Sequence, residues 1–531
     1  MSEATVRQLC IGVDAMEWRL VQRWAAAGVL PTFQRLMREG CTAELASVAD
    51  ALPDTVWTAL VYGVNPGKLE KYFYVQFDPA TASLRFASDE ELRGEAFWRH
   101  LGAAGKRVGV ADVPHLPFHD VPNGFHVFGW GAHDTKGGLQ ASPPSLVADV
   151  VARVGRHPVG DCETFDQRAR AKLRAAIVDG VGGQGRLFRW LMASRQWDVF
   201  VCAFSGSHCA GHHFWSDMDP SHPRHDPTDP RGLARSIEQT YRAIDREIGA
   251  MIEQAGPDTR VMVVAPHGMG PLVHASWHLN EILDLLGYGR EDRPTSRAGT
   301  RRRGRINPWR IVKMAVPSRW QYAVKEALPR ALQNELLFLW YAGGRRYRRR
   351  RAFAVPNNEI VGTIRLSVAG RDRDGIIAPG DEYRRVCRDI AAALGELTDP
   401  VTGRPVAAKV TLMHEVCHGP YVDDMPDLAV LWDSSFVWNA VRSPRFGTLT
   451  IPRQDARTGS HTPSSFLLAT GPGIGAGTTL VGGSILDVAP TILATAGVAV
   501  PPEMDGAPLR LPQSTLIPQP IIGAHRLDRA R

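Results

Sequence analysis

A chain of 531 residues is too long for one average domain, although large α/β enzymes fill this range with a single sheet and its insertions. Its 44% hydrophobic and 22% charged residues exclude a mainly disordered or fibrous protein, and no run of about 18 uncharged apolar residues is present to span a bilayer. The formal charge of +7 gathers in Arg301, Arg302, Arg303 and Arg305 and in the run from Arg345 to Arg351; such a run is most often a solvated face, and no nucleic-acid-binding module accompanies it.

From the N-terminus, Gln8 to Val13 is a short apolar run ending on Asp14, the pattern of a first buried strand in a parallel sheet. Ligands gather at the carboxyl ends of such strands, which places Asp14 within reach of a site. A broken helical pattern follows, then a candidate strand over 43–48. Next comes Leu52-Pro53-Asp54-Thr55-Val56-Trp57, a hydroxyl beside a carboxylate where a loop turns into a helix, with Gly63-Val64-Asn65-Pro66-Gly67-Lys68 behind it. A helix N-terminus offers free N–H groups to an anion such as phosphate; the plainer role for Asp54 or Thr55 is a helix cap.

Further strands are expected over 107–113 and 125–130, with His115, His119, His126 and His133 in or near their loops. A helix ending near Met192 leads into an apolar strand over 197–204. His208 and His212 then stand four apart, one helical turn, so that two imidazoles can face one ion. An amphipathic helix over 236–254 and a strand over 260–265 deliver Pro266-His267-Gly268. Repetition of helix and strand favours a doubly wound α/β fold with a mostly parallel central sheet flanked by helices. After a compositional break, 352–432 reads as a small α+β unit, with strands over 360–366, 408–412 and 427–432 and a helix over 382–397. His461 precedes a last core strand over 465–469, and Ile485 opens a final helix. These readings divide the chain into a core (1–286), a basic insertion or lid (287–351), a small α+β subdomain (352–440), the rest of the core (441–512) and a tail (513–531).

The seven cysteines (Cys10, Cys41, Cys162, Cys202, Cys209, Cys387, Cys417) are dispersed, without C-x-x-C spacing, and read as thiols of a reducing compartment. With no long apolar run at the N-terminus, the expected location is cytoplasmic.

The order of these pieces resembles the alkaline phosphatase superfamily, most of all its type I phosphodiesterase/nucleotide pyrophosphatase branch, over roughly 8–286 and 352–510. The most specific pieces are Leu468 to Ile474 and Ile485 to Leu493 with Met504-Asp505-Gly506 behind them. The resemblance implies two divalent metal ions, usually zinc, flanking a Ser or Thr that takes up the phosphoryl group. Carried over, Asp14, His267 and the Thr55 oxygen hold one ion, and His208, His212 and His461 the other. Thr55 is then the nucleophile, with Asp54 as supporting carboxylate; the register of the phosphodiesterase branch alone points instead to Pro53, which has no hydroxyl.

Two carboxylates of the family pattern are missing: position 208 is His where Asp is usual, and position 266 is Pro where a metal-binding Asp is usual. The ion of Asp14 is thereby left short of ligands, with His274 and His278 as candidate supplements. The resemblance implies a metal-dependent hydrolase of small anionic phosphate esters, a phosphodiesterase or nucleotide pyrophosphatase, working through a phosphothreonine. The alternatives are a non-catalytic metal- or ligand-binding descendant of the fold and a phosphotransferase on the same scaffold.

Overall fold

Side-chain alternation along the strands decides the architecture of the computed structural model, which describes residues 6–131, 138–159, 169–289, 301–303, 332, 347, 350–453 and 456–513. In the strand Arg7–Val13, Leu9, Ile11 and Val13 enter one core cluster while Cys10 enters another on the opposite face. The strand Val199–Phe204 divides in the same way, Phe200, Cys202 and Phe204 to one side, Val199, Val201 and Ala203 to the other. A strand apolar on both faces needs cover on both. The helices Arg170–Ser194 and Ser236–Ala255 supply it on one side, and Val56–Tyr62, Phe97–Ala103 and Val488–Thr495 on the other.

Nine strands make the main sheet among the described residues, in the order Thr478–Leu480, Cys41–Glu44, Phe466–Thr470, Thr259–Ala265, Arg7–Val13, Val199–Phe204, Val108–Ala111, Gly124–Phe128, Gln140–Ser142. All neighbours pair parallel except where Phe466–Thr470 and Gln140–Ser142 run the other way. The expected doubly wound, mostly parallel sheet is therefore present. Because Phe466–Thr470 is reversed, its entry lies at the edge where Arg7–Val13, Val199–Phe204 and Thr259–Ala265 end. Residues just before it thus arrive where Asp14, Ser205 and Pro266 emerge.

A second, antiparallel sheet contains Ala352–Val355, Val361–Leu366, Leu428–Trp432 and Ala407–Leu412, with the helix Asp381–Gly395 packed on it. This is the small α+β unit, and its core continues into the hairpin Val75–Asp78/Ser83–Phe86 and the helix Leu279–Leu286, contacts that no local pattern announced. Most of the basic insertion lies outside the described residues. Within it, Arg301–Arg303 pairs parallel with Gly447–Thr450, which pairs in turn with Ala440–Ser443.

The two motifs richest in turn residues clasp each other. Asp505 accepts from the Asn65 backbone N–H at 2.7 Å and from Lys68 Nζ at 2.6 Å, while the N–H groups of Asp505 and Gly506 reach Gly63 O at 2.8 and 3.1 Å. These hydrogen bonds fasten the C-terminal segment over the end of the Val56–Tyr62 helix. Cys10, Cys41, Cys202, Cys387 and Cys417 are free and buried, but Cys209 is disulfide-bonded. That bond departs from the all-thiol reading, which dispersed spacing alone suggested. Among the described residues no helix is long and apolar enough to cross a membrane.

Candidate metal and active site

Four segments bring five ionisable side chains together at the carboxyl edge of the sheet. Asp14 leaves the end of its strand fully buried. The helix Gly206–Met218 begins directly after the next strand and carries His208 and His212 on one face, as their spacing requires. His267 follows the strand Thr259–Ala265, and His461 sits in Gly459–Thr462, which pairs with Gly268–Pro271 just before the reversed strand. The helix and this hairpin approach so closely that a Cβ on Gly459 would lie 2.2 Å from Gly211 O. Gly459→Ala should push the two apart and destabilise the fold by about 1–3 kcal/mol, read as a lower denaturant midpoint, because backbone has no soft way to yield.

Three imidazole nitrogens converge. His208 Nε2 lies 2.9 Å from His212 Nε2 and 3.4 Å from His461 Nε2, and all three rings are buried. Each opposite nitrogen has an outer hydrogen-bond partner: His208 Nδ1 meets Asp14 Oδ2 at 2.9 Å, His212 Nδ1 meets Gly459 O at 2.8 Å, and His461 Nδ1 meets the Asn358 amide at 3.0 Å. Burial, and then the neighbouring imidazoles, hold His212 and His461 well below the ordinary histidine range, so both are neutral donors at physiological pH. Rings with Nε2 turned inward and Nδ1 held from outside are the donor set of a metal centre, and these residues fit one.

The same groups also form a second set, Asp14, His208 and His267, which shares His208 with the first. His267 Nε2 is 3.7 Å from Asp14 Oδ1. Pro266 brings no side-chain ligand, and its carbonyl accepts from Ser47 Oγ at 2.6 Å. Of the candidate supplements, His278 places Nε2 3.1 Å from Pro452 O and Nδ1 3.7 Å from Glu281, and His274 stacks on Trp277 at 5.1 Å; neither joins the cluster. His126 is likewise elsewhere, bonded to His119 O and pushed down to about 4 by burial.

Thr55 ends the 3-10 turn Pro53–Thr55 and is buried, its hydroxyl donating to Leu52 O at 2.8 Å. Its side chain makes no capping bond to the helix Val56–Tyr62, so the plain capping role is not the one it plays. Asp54 is half-buried beside it. Two residues on, Trp57 donates Nε1–H to Asp14 Oδ1 at 2.8 Å and lays its ring where a side chain on Gly12 would stand. This contact ties the Thr55 turn to the cluster.

Three supporting residues carry no sequence signal of their own. Glu17 accepts from Thr462 Oγ1 at 2.9 Å and Met269 N at 3.3 Å, linking the segments of Asp14, His267 and His461; burial raises its carboxyl above the usual range. Trp57 reads from sequence as a core residue. Asn358 comes from the small α+β unit, and only the tertiary fold brings it to His461. Asn358→Leu should weaken metal binding about 10–100-fold without unfolding the chain, checked by zinc competition, since an outer partner both orients a ligand and fixes its tautomer.

The model of the family described as "Type I phosphodiesterase / nucleotide pyrophosphatase" matches residues 8–358, about two thirds of the chain. Among solved structures, an inactive murine ectonucleotide pyrophosphatase/phosphodiesterase 5 in complex with AMP is 13% identical, covering 93% of this chain and 96% of its own, with a TM-score of 0.47. The human protein of the same name is 11% identical, with coverages of 94% and 97% and a TM-score of 0.46. Phosphonoacetate hydrolase from Sinorhizobium meliloti 1021, in complex with phosphonoformate, is 13% identical, with coverages of 93% and 96% and a TM-score of 0.49. No curated protein is similar enough to be counted as a relative. On the match to its family model, with two thirds of the sequence accounted for, the chain belongs to the type I phosphodiesterase/nucleotide pyrophosphatase family and is a phosphoester hydrolase.

Proposed function

We propose that the chain cleaves phosphodiesters, or the pyrophosphate link of nucleotide-like molecules, through a phosphothreonine on Thr55 beside a divalent-metal centre for which zinc is the fitting ion. The observation that carries this reading is the convergence of three buried imidazoles beside Asp14, to which Trp57 ties the turn that bears the Thr55 hydroxyl. Three histidines with an open position suit catalytic zinc. In the family's two-ion arrangement, His208, His212 and His461 would hold one ion, and Asp14, His267 and the Thr55 oxygen the other. A bound ion supplies Lewis-acid stabilisation of charge on the phosphoryl oxygens and eases loss of a proton from an adjacent hydroxyl or water.

The chain's own residues set the rest. Leu52 O accepts a hydrogen bond from the Thr55 hydroxyl, which fixes the rotor and leaves oxygen lone pairs to face phosphorus. Attack by Oγ1 forms a phosphothreonine that still carries one ester group, as the other ester oxygen leaves and takes up, through solvent, the proton that the hydroxyl gives up; water then releases the remaining phosphate monoester by the reverse displacement and restores the hydroxyl. The substrate is a small phosphate ester bearing negative charge. Asp54 stands next to the attacking residue as a supporting carboxylate.

The test compares bis(4-nitrophenyl) phosphate with 4-nitrophenyl phosphate on the purified full chain, with and without chelator. Chelator-sensitive turnover favouring the diester is expected. Turnover of neither ester by a metal-loaded protein would make it a binding descendant of the fold, and transfer to an added alcohol in preference to water would make it a phosphotransferase.

A further inference from the structure

We infer that this chain holds one metal ion where the family pattern has two: His208, His212 and His461 bind it, and Asp14 is the carboxylate that orients His208 and is not itself a ligand. The inference rests on the reading of the cluster as a metal centre and concerns how many ions that centre takes.

The donors around Asp14 carry the argument. An indole N–H can only donate, so Trp57 holds Asp14 Oδ1 as an acceptor at 2.8 Å. The other oxygen lies 2.9 Å from His208 Nδ1. A carboxylate accepts there and the ring nitrogen donates, which places the His208 lone pair on Nε2, the atom turned toward His212 and His461. Carboxylate, imidazole and metal in this sequence form a recurrent arrangement in which the carboxylate raises ligand basicity and fixes the ring. To serve an ion beside Asp14 as well, His208 would have to give up its Nδ1 proton, and the hydrogen bond to Asp14 would be lost with it.

The would-be second site is then counted without His208. Among the described residues Asp14, His267 and the Thr55 oxygen remain, with Asp14 Oδ1 already accepting from Trp57 and the Thr55 hydroxyl turned to Leu52 O. Pro266 contributes no side-chain atom, its carbonyl is taken by Ser47, and His278 is turned to Pro452 and Glu281. Once the Thr55 oxygen is set aside as the attacking atom, the two that are left fall short of the three that catalytic zinc sites draw from protein. The substitution of histidine for aspartate at 208 and the loss of aspartate at 266 thus belong together. The first completes a three-imidazole site and converts Asp14 to an outer partner; the second removes the remaining carboxylate of the other site.

The Asn358 amide places Nδ2 3.0 Å from His461 Nδ1, and its Oδ1 accepts from Ser460 Oγ at 3.4 Å. For Nε2 to bind the ion Nδ1 must donate, which calls for the amide turned over, with Oδ1 at the ring.

The experiment is a metal titration of the full chain, stripped by dialysis against chelator. Zinc is followed by a chromophoric competitor, cobalt(II) by its visible absorption, and content by elemental analysis after buffer exchange. Saturation at one equivalent per chain is expected. Asp14→Asn should keep that single equivalent but weaken it about 10–100-fold, the effect of losing an outer carboxylate. His267→Gln should keep it with affinity close to the parent's. Two equivalents in the parent overturn the inference. So does either variant lowering the count from two to one while the remaining ion binds as before. Should Asp14→Asn fail to fold, the parent count and His267→Gln decide the matter alone. Turnover is read separately: one ion without diester hydrolysis would leave this inference standing and sink the hydrolytic reading, whereas two ions with hydrolysis would do the opposite.

Discussion

Alanine in place of His212 or His461 should strip the metal from the purified protein and remove turnover with it. Each ring supplies one of three converging nitrogens, and each is seated by a dedicated outer partner, Gly459 O or the Asn358 amide. Loss of a ligand should therefore cost more than the about 10–100-fold in affinity that loss of an outer partner costs. Elemental analysis after dialysis checks this, with His213→Ala as the comparison. His213 is the next residue on the same helix and is equally buried, but lies outside the converging set, so that variant should retain its ion. Retention of metal by both His212→Ala and His461→Ala would remove the centre from this location.

The other large effect is expected at Thr55. Thr55→Ala should lower kcat by roughly 10³-fold or more, as loss of an attacking oxygen does elsewhere, while metal content stays at the parent's level. The fold should lose only about 1 kcal/mol, the worth of the hydroxyl's bond to Leu52 O. Thr55→Ser keeps the oxygen and should keep part of the activity. A Thr55→Ala protein that still turns over the diester at the parent rate would mean that water attacks phosphorus directly.

The residues gathered at the sheet edge were legible in the sequence for a physical reason. Asp14 and His267 end apolar strands, and His208 and His212 are one helical turn apart, so each follows from local periodicity and from the rule that sites form where parallel strands end. His461 was legible through the resemblance, and its route into the site depends on a strand running backward, which no local pattern encodes. Apart from Met269, the hairpin Gly268–Pro271/Gly459–Thr462 is made of Gly, Pro and polar residues without alternation, so it read as loop. Asn358 and Glu17 acquire their parts from contacts far along the chain. The count of metal ligands read from sequence could not show that His208 turns one nitrogen to Asp14 and the other to its fellow histidines. The disulfide at Cys209 was illegible because pairing depends on distance in space.

The reversed strand Phe466–Thr470 also orders events in time. It lies between Thr259–Ala265 and Cys41–Glu44, so the latter, made long before it, waits through the synthesis of everything between them for its neighbour. His461 follows His208 by 253 residues and arrives only just ahead of that strand. An unfinished chain therefore presents two imidazoles at most from the converging set and holds a metal ion poorly. If the cluster takes an ion as proposed, closing the sheet and acquiring it become a single late step, and a nascent or truncated chain is kept from carrying a reactive centre before the walls around it exist.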